Sequence, residues 1–204
     1  MMTLWIALGA IGILAAATWA YERSSLSAKE IPVLVVLAAI AGLGRIPFAA
    51  IPNVQPTTCV VLLTGLVFGP LAGMVVGMVA AWISDCFLGQ GPWVLWQMLA
   101  WGLGGWVAGW IGRLLPRSGR GTLVVLGLVW GYCFGWIMNL WYWASFIYPL
   151  TWRSWLLVNA TSFWFDTFHA VGNSLFAWVL GHDLLKIVKR FHDKLRVTSA
   201  SPVW

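Results

Sequence analysis

Five polar residues recur close together near the C-terminal end of the chain: Asn159, Ser162, Asp166, His169 and Asn173, at offsets of 0, 3, 7, 10 and 14. Steps of three and four bring side chains to one face of a helix, so these five form one polar stripe among Phe, Trp, Leu and Val. Asp85 and Arg45 are the other ionisable residues inside apolar runs. Two chemistries stay open for these groups. One is a structural polar core, with Arg45 paired to Asp85 or Asp166. The other is a ligand or proton site. A rival of a different class is an intramembrane enzyme acting on a lipid-like substrate, with Asp85, Asp166 and His169 as acid, base or metal ligands.

These groups must be positioned inside a membrane. The chain has 204 residues, 61% hydrophobic and only 9% charged, whereas a soluble domain carries roughly 25% charged residues. The deficit runs along the whole sequence, which leaves no soluble domain beside the membrane part. Apolar stretches fall at 3–20, 32–51, 57–68, 70–88, 94–115, 122–148 and 157–185. Most match a hydrocarbon core roughly 30 Å thick. The third is too short to span alone, and one alternative fuses it with the fourth through a kink at Gly69-Pro70.

Loop charge decides between these readings. Arg23 and Lys29 follow the first stretch; Arg113, Arg117 and Arg120 follow the fifth; Lys186, Lys189, Arg190, Lys194 and Arg196 follow the last. Counting the short segment as a crossing puts all three clusters on one side, as the positive-inside rule requires. The expectation is therefore an all-α, polytopic bundle of seven helices in the cell membrane, N-terminus outside and C-terminus cytoplasmic. The net charge of +6 then orients the protein rather than recruiting nucleic acid. Residues 1–20 lack the basic start of a signal peptide and precede Glu22 and Arg23, so they read as a retained helix.

Three loops then lie outside: Pro52 to Pro56, Gly89 to Trp93, and Tyr148 to Trp155. They are almost uncharged and rich in turn-forming, amide and aromatic residues. The short third segment implies that the first of them dips into the bundle, where irregular backbone survives only if covered or lining a cavity. A cavity opening outward follows. Trp93, Trp96, Trp143, Trp155 and Trp164 lie near these loops or the polar stripe and could clamp a planar ligand, while Trp5, Trp19 and Trp152 suit interfacial belts.

Small residues recur at helix-contact spacing: Gly73, Gly77 and Ala81; Gly127, Gly131 and Gly135, followed by Asn139; Gly105 and Gly109; Ala38 and Gly42. They allow close backbone approach inside the bundle. For Ala38 and Gly42 the alternative is docking of a separate membrane subunit. Cys59, Cys86 and Cys133 have no metal-ligand spacing and read as small hydrophobes. G-x-x-x-x-G-K-[ST], HExxH and G-x-S-x-G are all absent, so nucleotide binding through a P-loop and two common hydrolytic chemistries are excluded.

Two segments carry a family resemblance. One runs from Ile51 to Gly73, I-P-N-V-Q-P-T-T followed by L-L-T-G-L-V-F-G-P-L-A-G; the other is F-L-G-Q-G-P-W from Phe87, then W-Q-M-L-A-W-G-L from Trp96. Over roughly residues 31–185 the chain resembles the substrate-binding (S) component of energy-coupling factor (ECF) vitamin transporters, nearest to the cobalamin or corrinoid type. The resemblance implies a six-helix core at 26–190, an added N-terminal helix at 1–25 and a basic cytoplasmic tail at 191–204. It implies capture of a vitamin from outside, with a membrane coupling subunit and two ATPase subunits as partners and no cofactor. The expected pocket is Asn53, Gln55, Gln90, Trp93, Trp96, Gln97, Asn159, Asp166, His169 and Asn173; the expected docking positions are Ala38 and Gly42. A subunit of membrane assembly that binds no ligand is the remaining alternative.

Overall fold

Proline stands in the first turn of three helical elements, where its missing N–H leaves no hydrogen bond unmade. These are Pro32 in α2 (Ile31–Leu43), Pro47 in a 3-10 turn (Ile46–Phe48) and Pro70 in α4 (Pro70–Leu88). The other helices are α1 (Met2–Arg23), α3 (Thr57–Phe68), α5 (Trp93–Leu114), α6 (Arg120–Phe146) and α7 (Trp152–Ala200). The computed structural model describes residues 2–23 and 26–200, with side chains other than those of 2, 3, 6 and 196–200. Among the described residues there is no strand. This is an all-α membrane bundle, and by length and composition alone Ile31–Phe48, Pro70–Leu88 and Arg120–Phe146 suffice to cross a bilayer.

Residue exposure is inverted relative to a soluble protein. Val36, Ile40, Val129, Trp136, Phe165 and Val171 face outward, while Asp85, Asp166, His169 and Asn173 are buried. A surface of that kind is stable against lipid, and polar groups kept from hydrocarbon must turn to one another.

α3 and α4 are separate helices. Gly69 between them has φ +93°, a left-handed conformation that glycine adopts without steric cost, and the chain reverses there. α3 is only 12 residues long, and all of them except Val67 are buried. It packs against α2, α4, α5, α6 and α7. A helix of roughly 18 Å is acceptable at this place because protein surrounds it, and the segment from Gly44 to Pro56 covers one of its ends.

The glycine stripes bring backbones together. A Cβ on Gly65 or Gly73 would collide with the carbonyl oxygen of Gly105, and one on Gly77 with that of Trp101. Van der Waals contact at such approach supplies the cohesion that the hydrophobic effect cannot provide in lipid. α6 and α7 form the other close pair: Gly131 meets Ala170, and Gly135 meets the Asp166 carboxylate. The α7 polar stripe therefore has the α6 glycine stripe as its partner.

α1 packs on α4 and α5. At the opposite end of the chain, α7 runs 49 residues, roughly 73 Å, far more than one crossing. Residues 191–200, expected as a tail, continue this helix, and 201–204 lie outside the described residues. Lys189 Nζ donates to the Ser118 carbonyl at 2.7 Å. His192 Nε2 lies 3.6 Å from Glu30 Oε1, and its ring stands edge-on to Phe68 at 5.1 Å. These contacts gather the start of α2, the end of α3, the α5–α6 loop and the end of α7 at one end of the bundle, with the basic loops.

Candidate functional site

The other end holds a layer of buried polar side chains. Arg45 precedes the 3-10 turn and reaches inward. Its Nε donates to Gln55 Oε1 at 2.9 Å. Its Nη1 reaches Asp85 Oδ1 at 2.8 Å, Ser84 Oγ at 3.0 Å and Gln97 Oε1 at 3.0 Å. The guanidinium lies 5.2 Å over the Trp101 ring. One arginine thus ties the loop from Gly44 to Pro56 to α4 and α5. Asp85 is 1% exposed, and its second oxygen, Oδ2, has no hydrogen-bond partner.

A second chain of bonds holds the loop to α7. Trp101 Nε1 donates to Thr58 Oγ1 at 2.8 Å, and Thr58 Oγ1 lies 3.1 Å from His169 Nε2. His169 Nδ1 lies 3.0 Å from the Asn53 carbonyl. A carbonyl only accepts, so Nδ1 carries the hydrogen; Nε2 of the neutral ring then accepts from the Thr58 hydroxyl. Asn53 has φ +57°, a conformation asparagine tolerates better than most residues, and its Nδ2 donates to the Phe165 carbonyl at 2.9 Å. The loop dips into the bundle as expected. It also roofs the layer, because Gln55 and Gln97 (each 8% exposed) turn inward to Arg45.

A third group lies between α6 and α7. Asn139 Nδ2 is within 3.1 Å of Asn159 Oδ1, 2.7 Å of Ser162 Oγ and 3.1 Å of Asp166 Oδ2. Ser162 also donates to Asp166 Oδ2 at 2.8 Å. Asn173, one turn beyond His169, is completely buried, and neither of its amide atoms has a partner.

Of the residues expected from sequence, Gln55 and Gln97 meet at Arg45, Asn53 meets His169, and Asn159 and Asp166 share Asn139. Gln90 stands apart, its Nε2 turned back to the Trp82 carbonyl and Cys86 Sγ, each at 3.4 Å. Trp93 packs edge-on to Trp141 at 6.2 Å rather than over the layer, and Trp96 is half-buried on the same helix. Trp164 is 68% exposed and faces lipid. Ala38 and Gly42 are buried inside the bundle, and a Cβ on Gly42 would press on the Ala80 carbonyl and Ile83. Thr58, Ser84 and Trp101 were not singled out from sequence. Helical spacing carried a signal for Trp101, which follows Gln97 by four on α5, while Thr58 opens α3 just after Gln55 and Ser84 adjoins Asp85.

The three groups an intramembrane enzyme would need are dispersed. Asp85 serves Arg45, Asp166 serves Asn139 and Ser162, and His169 spans Thr58 and Asn53. Among the described residues, no three His, Cys, Asp or Glu side chains gather as metal ligands.

Comparison with known proteins agrees with this architecture. Residues 25–190, the bundle without α1, match the family model described as the ECF-type riboflavin transporter, S component. A UPF0397 protein of Vibrio vulnificus (strain YJ016) is 29% identical over 199 residues, covering 86% of this chain and 100% of the relative. UPF0397 proteins of Vibrio atlanticus (strain LGP32) and Aliivibrio fischeri (strain MJ11) are 32% and 35% identical, over 48% and 45% of this chain. With these two the chain spans about half the relative's length, 53% and 50%. No solved structure gives a significant match. On the match over residues 25–190, this chain belongs to the family of ECF-type riboflavin transporter S components.

Proposed function

We propose that this chain is the substrate-capture subunit of an ECF importer, binding a vitamin-sized ring compound at the end that carries the polar layer. That end faces outward if the basic end lies in the cytoplasm, the orientation the positive-inside rule favours. A membrane coupling subunit and two ATPase subunits supply the drive, since the chain has no nucleotide-binding motif of its own. The observation that carries the reading is a buried polar layer whose bonds are incomplete. Asp85 Oδ2 and both atoms of the Asn173 amide have no partner. Buried polar atoms left unpaired cost roughly 1–3 kcal/mol each, and a ligand with neighbouring donors and acceptors recovers that cost. The loop from Gly44 to Pro56 is the lid that must lift; among the described residues its polar hold on α7 runs through Asn53 and on α4 and α5 through Arg45.

The family's description names riboflavin, whose flat ring has an imide N–H between two carbonyls and suits such a layer. Riboflavin is therefore the first candidate. A corrinoid is the second, supported by the loop from Gly89 to Trp93; Gln90 and Trp93 lie at the margin of the layer, which favours the smaller ligand.

The test is thermal unfolding of the purified chain with riboflavin or cyanocobalamin, since a ligand at about a hundred times its Kd stabilises the folded state by about 2.7 kcal/mol. Riboflavin should raise the midpoint, and Asn173→Ala should remove the effect while leaving the unliganded midpoint close to wild type. A shift with cyanocobalamin alone, lost in Gln90→Ala, would move the assignment to the corrinoid. An unchanged midpoint across a vitamin panel would favour the assembly subunit instead.

A further inference from the structure

Three neighbouring cavities share lining residues, two at the basic end of the bundle and one running from there along α1, α2 and α4. The first, about 180 Å³, lies under the α3–α4 turn and is lined by Phe68, Gly69, Arg113 and His192. The second, about 510 Å³, shares Arg113 and His192 with it and adds Lys189, Ser118 and Asp193. The third, about 300 Å³, lies between α1, α2 and α4 and shares Leu26, Leu71 and Ala72 with the first. Apart from Tyr21, the walls of the third are aliphatic, and Ile31 and Val35 at its rim are exposed, so it opens toward the membrane.

Taken together, the adjoining cavities have a cationic part and an oily part. Among the described residues, Arg113 has no carboxylate partner; its guanidinium lies 4.9 Å over the Trp110 ring. Trp110 and Trp106 are both exposed on α5, as interfacial tryptophans are. Two acids are near: Glu30, buried against His192, and Asp193, 78% exposed and 3.5 Å from the other ring nitrogen. Glu30 and Asp193 both pair with His192; Asp193 also lines the second cavity, where Arg113 and Lys189 together outweigh its single charge. A soluble anion would leave the aliphatic part empty, and an apolar molecule would leave Arg113 unpaired. An amphipathic anion fits both.

We propose that this groove binds one anionic phospholipid, its phosphate against Arg113 and Lys189 and one acyl chain between α1, α2 and α4. α1 then acts as one wall of a lipid site, a role the six-helix core cannot perform alone. The proposal is independent of which vitamin the opposite end binds.

The full chain in detergent would be incubated with equimolar dioleoyl phosphatidylglycerol and dioleoyl phosphatidylcholine, and retained lipid read by native mass spectrometry. One phosphatidylglycerol should be retained, preferred by about fivefold for one basic side chain at the headgroup. Arg113→Gln should lower the preference severalfold. Ala17→Phe, which fills the aliphatic part from α1, should lower retention of both lipids. Arg117→Gln, a cation outside the groove, should change neither, and unfolding midpoints report that each variant is folded. Equal retention of the two lipids by wild type would overturn the proposal, as would an Arg117→Gln effect as large as that of Arg113→Gln. So would displacement by inorganic phosphate as effective as by free phosphatidylglycerol, because the ligand would then be the phosphate alone.

Discussion

Replacing Asp85 by Ala strands the Arg45 guanidinium in the bundle. The pair is 2.8 Å apart, with side-chain exposures of 16% and 2%. Charge centres about 4 Å apart at an effective dielectric near 20 attract by about 4 kcal/mol. Breaking a buried pair by removing one partner typically costs about 3–5 kcal/mol, because the other charge stays buried. Arg45 keeps Gln55, Ser84 and Gln97 as acceptors, so the lower end, about 3 kcal/mol, is expected. The double variant Arg45→Met with Asp85→Leu removes both charges, and its stability should return to within about 1 kcal/mol of wild type. Reversible unfolding in mixed micelles of the wild type, both single variants and the double variant closes a double-mutant cycle. Binding of the vitamin, measured on the same four proteins, separates structure from function. The pair belongs to the ligand site if the double variant is stable but no longer binds. If Asp85→Ala is as stable as wild type, the pair is not buried as described and the energetic reasoning fails.

Other consequences follow from the same contacts. Gly135→Ala would push a methyl group into the Asp166 carboxylate and should destabilise by about 1–3 kcal/mol, whereas Gly121→Ala, which meets nothing within 4 Å, should leave the unfolding midpoint where it is. His169→Ala leaves the Asn53 carbonyl without its donor; hydrogen exchange should quicken across Asn53 to Thr57 and stay unchanged in α4, and uniform protection would refute the lid reading. With Cys86 replaced by Ala, a cysteine at Tyr148, which is 94% exposed, should react with a membrane-impermeant maleimide in intact cells, and one at Gly119 should react only after lysis. The reverse pattern would invert the orientation.

Much of the architecture was legible because it depends on local properties of the chain. Hydropathy and loop charge gave seven helices and separated α3 from α4, since positive charge had to collect at one end and Gly69 can turn the chain. Helical periodicity likewise placed Asn159, Ser162, Asp166, His169 and Asn173 on α7, although they divide there between two networks. His169 turns to α3 and the loop before it, while Asn159, Ser162 and Asp166 turn to α6. The α6 glycines and the α7 polar residues were visible as two separate stripes, and nothing in either one says that they meet.

Membrane class, helix number and the polar character of the interior were written in the sequence, because composition and period act residue by residue and the bilayer imposes them on every segment. The choice of Asp85 over Asp166 as the partner of Arg45, the inward burial of Ala38 and Gly42, and the separation of Gln90 and Trp93 from the polar layer were decided by tertiary structure. Each of these depends on how far a helix rotates about its own axis and where it sits against its neighbours. That setting comes from many small contacts summed across helices distant in sequence, and no single segment contains the sum.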